Sequence, residues 1–313
     1  MTDIAIRTKG LTRDFPSVRA VDDLDLEVPR GIVFGFLGPN GSGKTTTVRL
    51  LLGLLEPTQG SAEVLGYDLA ADSDEVRSRC GALMEHAGLY ERLTAEENMR
   101  FFADAWRMSR HERDARIREL LDHLGLWERR GDIVGGWSRG MKQKLAVART
   151  LLHHPEVVFL DEPTAGLDPV AAAALRDDLA ALVAKEGASV FINTHHLDEA
   201  ERLCSQVGVI REGRLIANGH PDELRRRNGK HRVDILGSGF GVELVAGLRD
   251  RPGVTAVDAA DGRLTIDLAP DGETPPLVAY VVENGGRIEE VRRGAESLEE
   301  AFLSLLGEAD DGS

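Results

Sequence analysis

Cysteine is almost missing from this chain: 313 residues contain two, Cys80 and Cys204. Two isolated cysteines fit no metal-ligand spacing and make no disulfide framework, which agrees with a reducing compartment. Long apolar runs are missing too, and nothing approaches the roughly 18 residues that would span a bilayer. The start, Met1-Thr2-Asp3-Ile4-Ala5-Ile6-Arg7, lacks the apolar centre of a secretory signal. The expectation is a cytosolic protein, or one held at a membrane by another protein. Positive charge is scarce: 38 Lys and Arg stand against 53 Asp and Glu, a net of -15. That excess disfavours nucleic acid as the main partner, because a phosphate backbone calls for a basic face. No repeat of solenoid period is present.

The apolar fraction, 42%, is ordinary and sufficient for a core, and the length suits one large domain or two. The charge is uneven. Residues 231–313 hold 17 acidic and 7 basic side chains, a net of -10, which leaves -5 for residues 1–230. Such a shift marks a domain boundary. The basic, turn-rich stretch Arg225-Arg226-Arg227-Asn228-Gly229-Lys230 sits at that boundary and reads as a linker or helix end.

Gly38-Pro39-Asn40-Gly41-Ser42-Gly43-Lys44-Thr45 matches the phosphate-loop pattern at every fixed position. Ile32 to Leu37 before it reads as a buried strand, and Thr46 to Leu55 after it as a helix. An ordinary glycine-rich turn is the alternative, and the strand–loop–helix context disfavours it. Glycines let several N–H groups point inward, and a helix N-terminus adds partial positive charge. The pattern predicts a nucleoside triphosphate site, with Lys44 on the outer phosphates and the Thr45 hydroxyl on Mg²⁺. Downstream, Thr94-Ala95-Glu96-Glu97 fits a capping box opening a helix over 94–108, with Met99, Phe102 and Trp106 on one face. Ser138 caps a helix over 138–153. Val157-Val158-Phe159-Leu160 reads as a buried parallel strand. Asp168-Pro169 opens a further helix closed by Gly187, and 188–193 is the next strand. Strands alternating with helices around a phosphate loop indicate a doubly wound α/β core. After residue 230 the order is strand (232–236), helix (240–250), strands (254–258 and 263–268) joined at Asp261-Gly262, helix (274–284) and strand (287–293). This β-α-β-β-α-β order is that of the ferredoxin-like motif. Ser297-Leu298-Glu299-Glu300 then caps a final amphipathic helix.

Leu160-Asp161-Glu162 ends its strand with adjacent carboxylates. In phosphate-loop hydrolases the first acid serves Mg²⁺. Glu162 is then placed to accept a proton from the attacking water. Parallel strands bring both motifs to one carboxyl edge.

With these motifs in order, residues 3–225 resemble the ATP-binding cassette (ABC) family. Ser138-Arg139-Gly140-Met141-Lys142-Gln143 resembles that family's signature, Pro163 to Asp168 its D-loop, and Thr194-His195 its switch histidine. Phe15 stands where the family places an aromatic on adenine. The resemblance implies ATP as ligand with Mg²⁺, contacts from Phe15, Gly38 to Thr45 and Thr46, catalysis by Glu162, His195 and Lys44, and metal contacts from Thr45, Asp161 and Glu85. It implies that Ser138, Arg139, Gly140 and Met141, at a helix N-terminus, face ATP held by a second copy, with Asp168 in the D-loop between them. It further implies a helical signature subdomain and a separately encoded transmembrane permease at the cytoplasmic face of the membrane, with no role for nucleic acid. Three residues depart from the usual pattern: Glu85 for glutamine, Arg139 for glycine and Trp137 for leucine. They resemble the branch that exports drugs, sodium or lipids, as does the appended acidic domain at 231–313, read as regulatory or dimer-stabilising.

A soluble ABC ATPase remodelling a ribosome or DNA complex usually carries two cassettes or a long coiled-coil insertion, and neither is present. A binding module that has lost hydrolysis conflicts with the presence of Lys44, Asp161, Glu162 and His195. His153-His154, before Pro155, read as surface residues, and His196 as an exposed neighbour of His195. The Met99/Phe102/Trp106 stripe suits core packing and docking of a membrane partner equally.

Overall fold

The computed structural model describes residues 3–227, 231–269, 272–295, 299–300 and 302–303. The helix expected from Ser297 onward lies largely outside them, as does the Asn228-Gly229-Lys230 end of the basic stretch. The chain divides into two compact units, Met1–Asn218 and Gly219–Ser313.

In the first unit, two long strands, β1 (Ile4–Phe15) and β2 (Val18–Pro29), pair antiparallel. After β3 (Val33–Leu37) and α1 (Lys44–Leu51) come β4 (Gln59–Val64) and β5 (Tyr67–Asp68), and the first sheet has the order β2-β1-β4-β5. Next are α2 (Leu69–Arg79), β6 (Cys80–Leu83), α3 (Ala95–Ala105), α4 (Arg110–His123), α5 (Arg139–Thr150), β7 (Val157–Asp161), α6 (Pro169–Glu186), β8 (Ser189–Thr194), α7 (Leu197–Leu203), β9 (Gln206–Arg211) and β10 (Arg214–Gly219). The central sheet runs β10-β9-β3-β8-β7-β6, and the pairs from β9 to β6 are parallel.

This sheet is buried on both faces, which is why its strands read as continuous apolar runs. All five residues of β7 and all six of β8 are buried. The alternation of a strand sends neighbours to opposite faces. Val158, Leu160, Val190 and Ile192 join a core built with α3, α4, α5 and α6. Val157, Phe159, Phe191, Phe34 and Phe36 join a second core built with α1 and the first sheet. Both thiols are buried and free, and burial pushes Cys80 and Cys204 each up to about 12.

The expected caps form. Thr94 Oγ1 accepts from Glu97 N at 3.2 Å and Glu97 returns the bond to Thr94 N at 2.8 Å, closing the box on α3. The helix ends at Ala105, short of the expected 108, and of the stripe only Met99 is fully buried. His153 corrects an expectation: it is half-buried and packed, not freely exposed. Its ring stacks on Trp106 at 3.8 Å, and Nε2 lies 3.1 Å from the Cys80 carbonyl. Burial, assisted by nearby His154 and Arg116, depresses its pKa to about 4, against the hydrogen bond to Cys80. His154 is exposed, as expected.

The second unit holds α8 (Pro221–Arg227), so the basic stretch is in part a helix end. It continues with β11 (His231–Ser238), α9 (Val242–Arg249), β12 (Val254–Ala260), β13 (Arg263–Leu268), α10 (Thr274–Glu283) and β14 (Arg287–Ala295). The sheet order is β12-β13-β11-β14, all antiparallel, with the expected ferredoxin-like connectivity. Val233, Ile235, Leu264 and Ile266 face Leu244, Leu248, Leu277 and Val281 of the two helices and form a separate core.

Candidate active site

The site lies where β3, β7 and β8 end. Between β3 and α1, the loop from Gly38 to Gly43 turns back on itself: Ser42 N donates to Pro39 O at 3.2 Å. Gly43 has φ 109°, and a Cβ there would fall 2.3 Å from the Ala20 carbonyl, so only glycine fits. Lys44 is 6% exposed and its ammonium donates to the carbonyls of Gly38 (2.7 Å) and Pro39 (3.1 Å). Burial lowers its pKa, against the pull of Glu162 and Asp161, which favour the charged form.

The register Leu160↔Ile192 and Asp161↔Asn193 carries the next residues of the two strands to the same edge. Asp161 is buried; its Oδ2 accepts from the Thr45 hydroxyl at 2.8 Å and its Oδ1 from Asn193 Nδ2 at 3.0 Å. Glu162 stands at φ 51°, a strained conformation for a residue with a side chain, and its backbone N–H donates to Asn193 O at 2.9 Å. His195 Nδ1 lies 2.9 Å from Glu162 Oε1. A cavity of about 510 Å³ opens here, lined by Asn40, Gly41, Gly43, Lys44, Thr45, Thr46, Glu85, Arg139, Asp161 and Glu162 among others.

Phe15 is outside this lining; it is partly exposed, with the Arg13 guanidinium 4.8 Å over its ring. Ser138 Oγ caps α5 by accepting from Met141 N at 3.3 Å, and Gly140 lies close to Ala171 of α6. Asp168 is taken up in capping α6, accepting from Val170 N and Ala171 N at 3.0 and 2.9 Å. Within its own chain Arg139 lines the cavity, its guanidinium in the space beside Gly166 that a Cβ would fill.

Sequence reasoning missed Glu199. It is 3% exposed on α7 and accepts from Thr194 Oγ1 at 2.9 Å and, by a short bond, from Thr164 Oγ1. Arg176 lies 3.9 Å away. Glu199 thus ties the segment after Glu162 to the strand end that carries His195. An acidic residue four positions past His195 was the only available signal.

Residues 21–165 match the ABC transporter family, and residues 219–306 match the C-terminal domain of ATP-binding proteins like DrrA1-3. The bacitracin transport ATP-binding protein BcrA of Bacillus licheniformis is 37% identical over 96% of this chain and 97% of its own. The chain belongs to the ABC transporter ATP-binding family. This ABC subunit is 37% identical to the daunorubicin resistance ATP-binding protein DrrA3 of Streptomyces coeruleorubidus, over 98% of each chain. A solved ATP-binding subunit of an ABC transporter superposes with a TM-score of 0.65 at 35% identity, covering 72% of this chain and 93% of that one. The ABC subunit is therefore an ATP hydrolase of the transport class, and its relatives lie in the drug-exporter branch. Among its described residues no helix is long and apolar enough to cross a membrane.

Proposed function

We propose that two copies of this subunit close head to tail around two Mg-ATP and drive a separately encoded permease that exports a drug, ion or lipid. The reading rests most on one observation: Thr45 of the phosphate loop is bonded to Asp161, directly beside the Glu162–His195 pair. Residues 1–225 are the ATP-binding domain, and 231–313 an accessory domain that regulates or steadies the dimer. Bound through the permease, the subunit sits at the cytoplasmic face of the membrane.

Lys44 and the loop N–H groups hold the phosphates, and Phe15 stacks on adenine. The Thr45 hydroxyl and the Asp161 carboxylate, 2.8 Å apart, are hard oxygen donors that fit Mg²⁺, with Glu85 on the same cavity wall. The metal, when bound, neutralises charge on the phosphates. Glu162 takes the proton of the attacking water, and His195 fixes the direction of that carboxylate. Ser138, Arg139, Gly140 and Met141 present an α5 N-terminus to the partner copy's ATP, with Asp168 between the two sites. The groove of Leu54, Phe102, Trp106, Arg149 and His153, about 300 Å³, receives the permease. Cargo of the bacitracin or daunorubicin kind suits the relatives' names.

Glu162→Gln is expected to bind ATP normally and to lower turnover by roughly 10²–10⁴-fold, the usual worth of acid–base catalysis. It should also accumulate as an ATP-bound dimer in light scattering. Hydrolysis at the wild-type rate would remove Glu162 from the base position.

A further inference from the structure

His196 has no place in the hydrolytic scheme, yet it is half-buried beside the site. Its ring lies 4.1 Å from that of His195, tilted by 35°. Glu162, His195 and His196 each offer one donor atom, and these atoms lie within 4.8 Å of one another. The backbone holds them there: His196 N donates to Thr194 Oγ1 at 3.0 Å, and Glu162 N to Asn193 O at 2.9 Å. His195 Nδ1 lies 2.9 Å from Glu162 Oε1 and 2.8 Å from Oε2, so the imidazole and the carboxylate already meet.

We propose that Glu162, His195 and His196 form an inhibitory site for a borderline divalent cation of the zinc type. Two imidazoles and one carboxylate suit zinc and do not suit Mg²⁺, which prefers oxygen donors and keeps its waters. Three protein ligands with an open fourth position is a standard zinc arrangement, and bonds of about 2.0–2.2 Å place donors roughly 3.3 Å apart. Side-chain rotation closes the remaining gap, because both histidines have exposed surface. Binding displaces the proton between His195 and Glu162, since ligating imidazole must present a lone pair. The inhibitory half rests on Glu162 and His195 serving hydrolysis; the binding half does not. A cation here occupies the carboxylate that would accept the water's proton.

The test uses the full-length, nucleotide-free protein in Mg²⁺-containing buffer, with free Zn²⁺ set by a competing chromophoric chelator. The wild type should bind Zn²⁺ at this site, and His196→Ala and Glu162→Gln should each weaken binding by at least about tenfold. In a zinc-free Mg-ATP assay His196→Ala should hydrolyse ATP like the wild type. Added Zn²⁺ should then inhibit the wild type over its binding range and spare His196→Ala. His196→Gln, closer in polarity, covers the case in which alanine disturbs the fold. Equal Zn²⁺ affinity in wild type and both His196 variants would overturn the site. Full occupancy of the wild type without loss of ATPase would overturn the inhibition. Failure of the base assignment shows separately, as undiminished zinc-free turnover of Mg-ATP in Glu162→Gln.

Discussion

Lys44 lines the cavity, and its ammonium is held by two loop carbonyls and not by an apolar core. Lys44→Ala should leave thermal stability nearly unchanged, weaken ATP binding in titration calorimetry and abolish phosphate release. Unchanged nucleotide affinity would contradict its phosphate role. Glu199 acts at one remove, because it touches Thr164 and Thr194 and lies outside the cavity lining. Glu199→Ala leaves two buried hydroxyls without an acceptor and should cost about 1–3 kcal/mol in urea unfolding. Glu199→Gln keeps one acceptor oxygen. It should lower kcat through a loosened Glu162–His195 pair while KM for ATP holds. A matched fall in affinity would instead place Glu199 in ligand binding.

At the scale of the elements, the residue that caps α3 meets a titratable ring. His153 is neutral in its seat between Trp106 and the Cys80 carbonyl, with a folded pKa of about 4 against 6.5 for the free side chain. The unfolded chain therefore binds the extra proton first. Stability from this residue is complete above about pH 6.5 and is lost as the pH falls toward about 4, on the order of 2 kcal/mol after allowance for partial exposure. Urea unfolding at pH 7.5 and pH 5 should show a larger drop for the wild type than for His153→Phe. The elements themselves were legible because their signals are local. Thr94 with Glu97, Asp168 with Pro169, and the unbroken apolar run at 157–160 each specify backbone shape from adjacent residues. His153, Arg139 and Glu199 were not, because their environments come from distant segments. His153 precedes a proline at a helix end, which reads as surface until Trp106 is folded over it. Arg139 finds its seat beside Gly166, a residue with no Cβ in the loop after β7.

At the scale of the whole molecule, the cores of the first unit and that of the second share no residue. The ATP-site motifs all precede residue 200, and the acidic excess follows residue 230. A chain ended at Gly229 should still fold and gain thermal stability from Mg-ATP, as any ligand bound only by the native state confers. Its ATP-dependent dimerisation should shift. Loss of nucleotide stabilisation would place 231–313 inside the catalytic unit, and unaltered dimerisation would remove the steadying role.

The two cysteines, inert in the closed fold, make the first unit a clock for its own opening. Burial holds both thiols protonated, so alkylation should run mainly through molecules that have transiently opened. Cys204 lies against Gly35 on the strand leading into the phosphate loop, whereas Cys80 borders the groove beside Trp106. Each thiol thus times a different event, one at the nucleotide edge and one at the groove. The second unit has no sulfhydryl and stays silent, so any slowing of either reaction by a ligand belongs to the ATPase half alone.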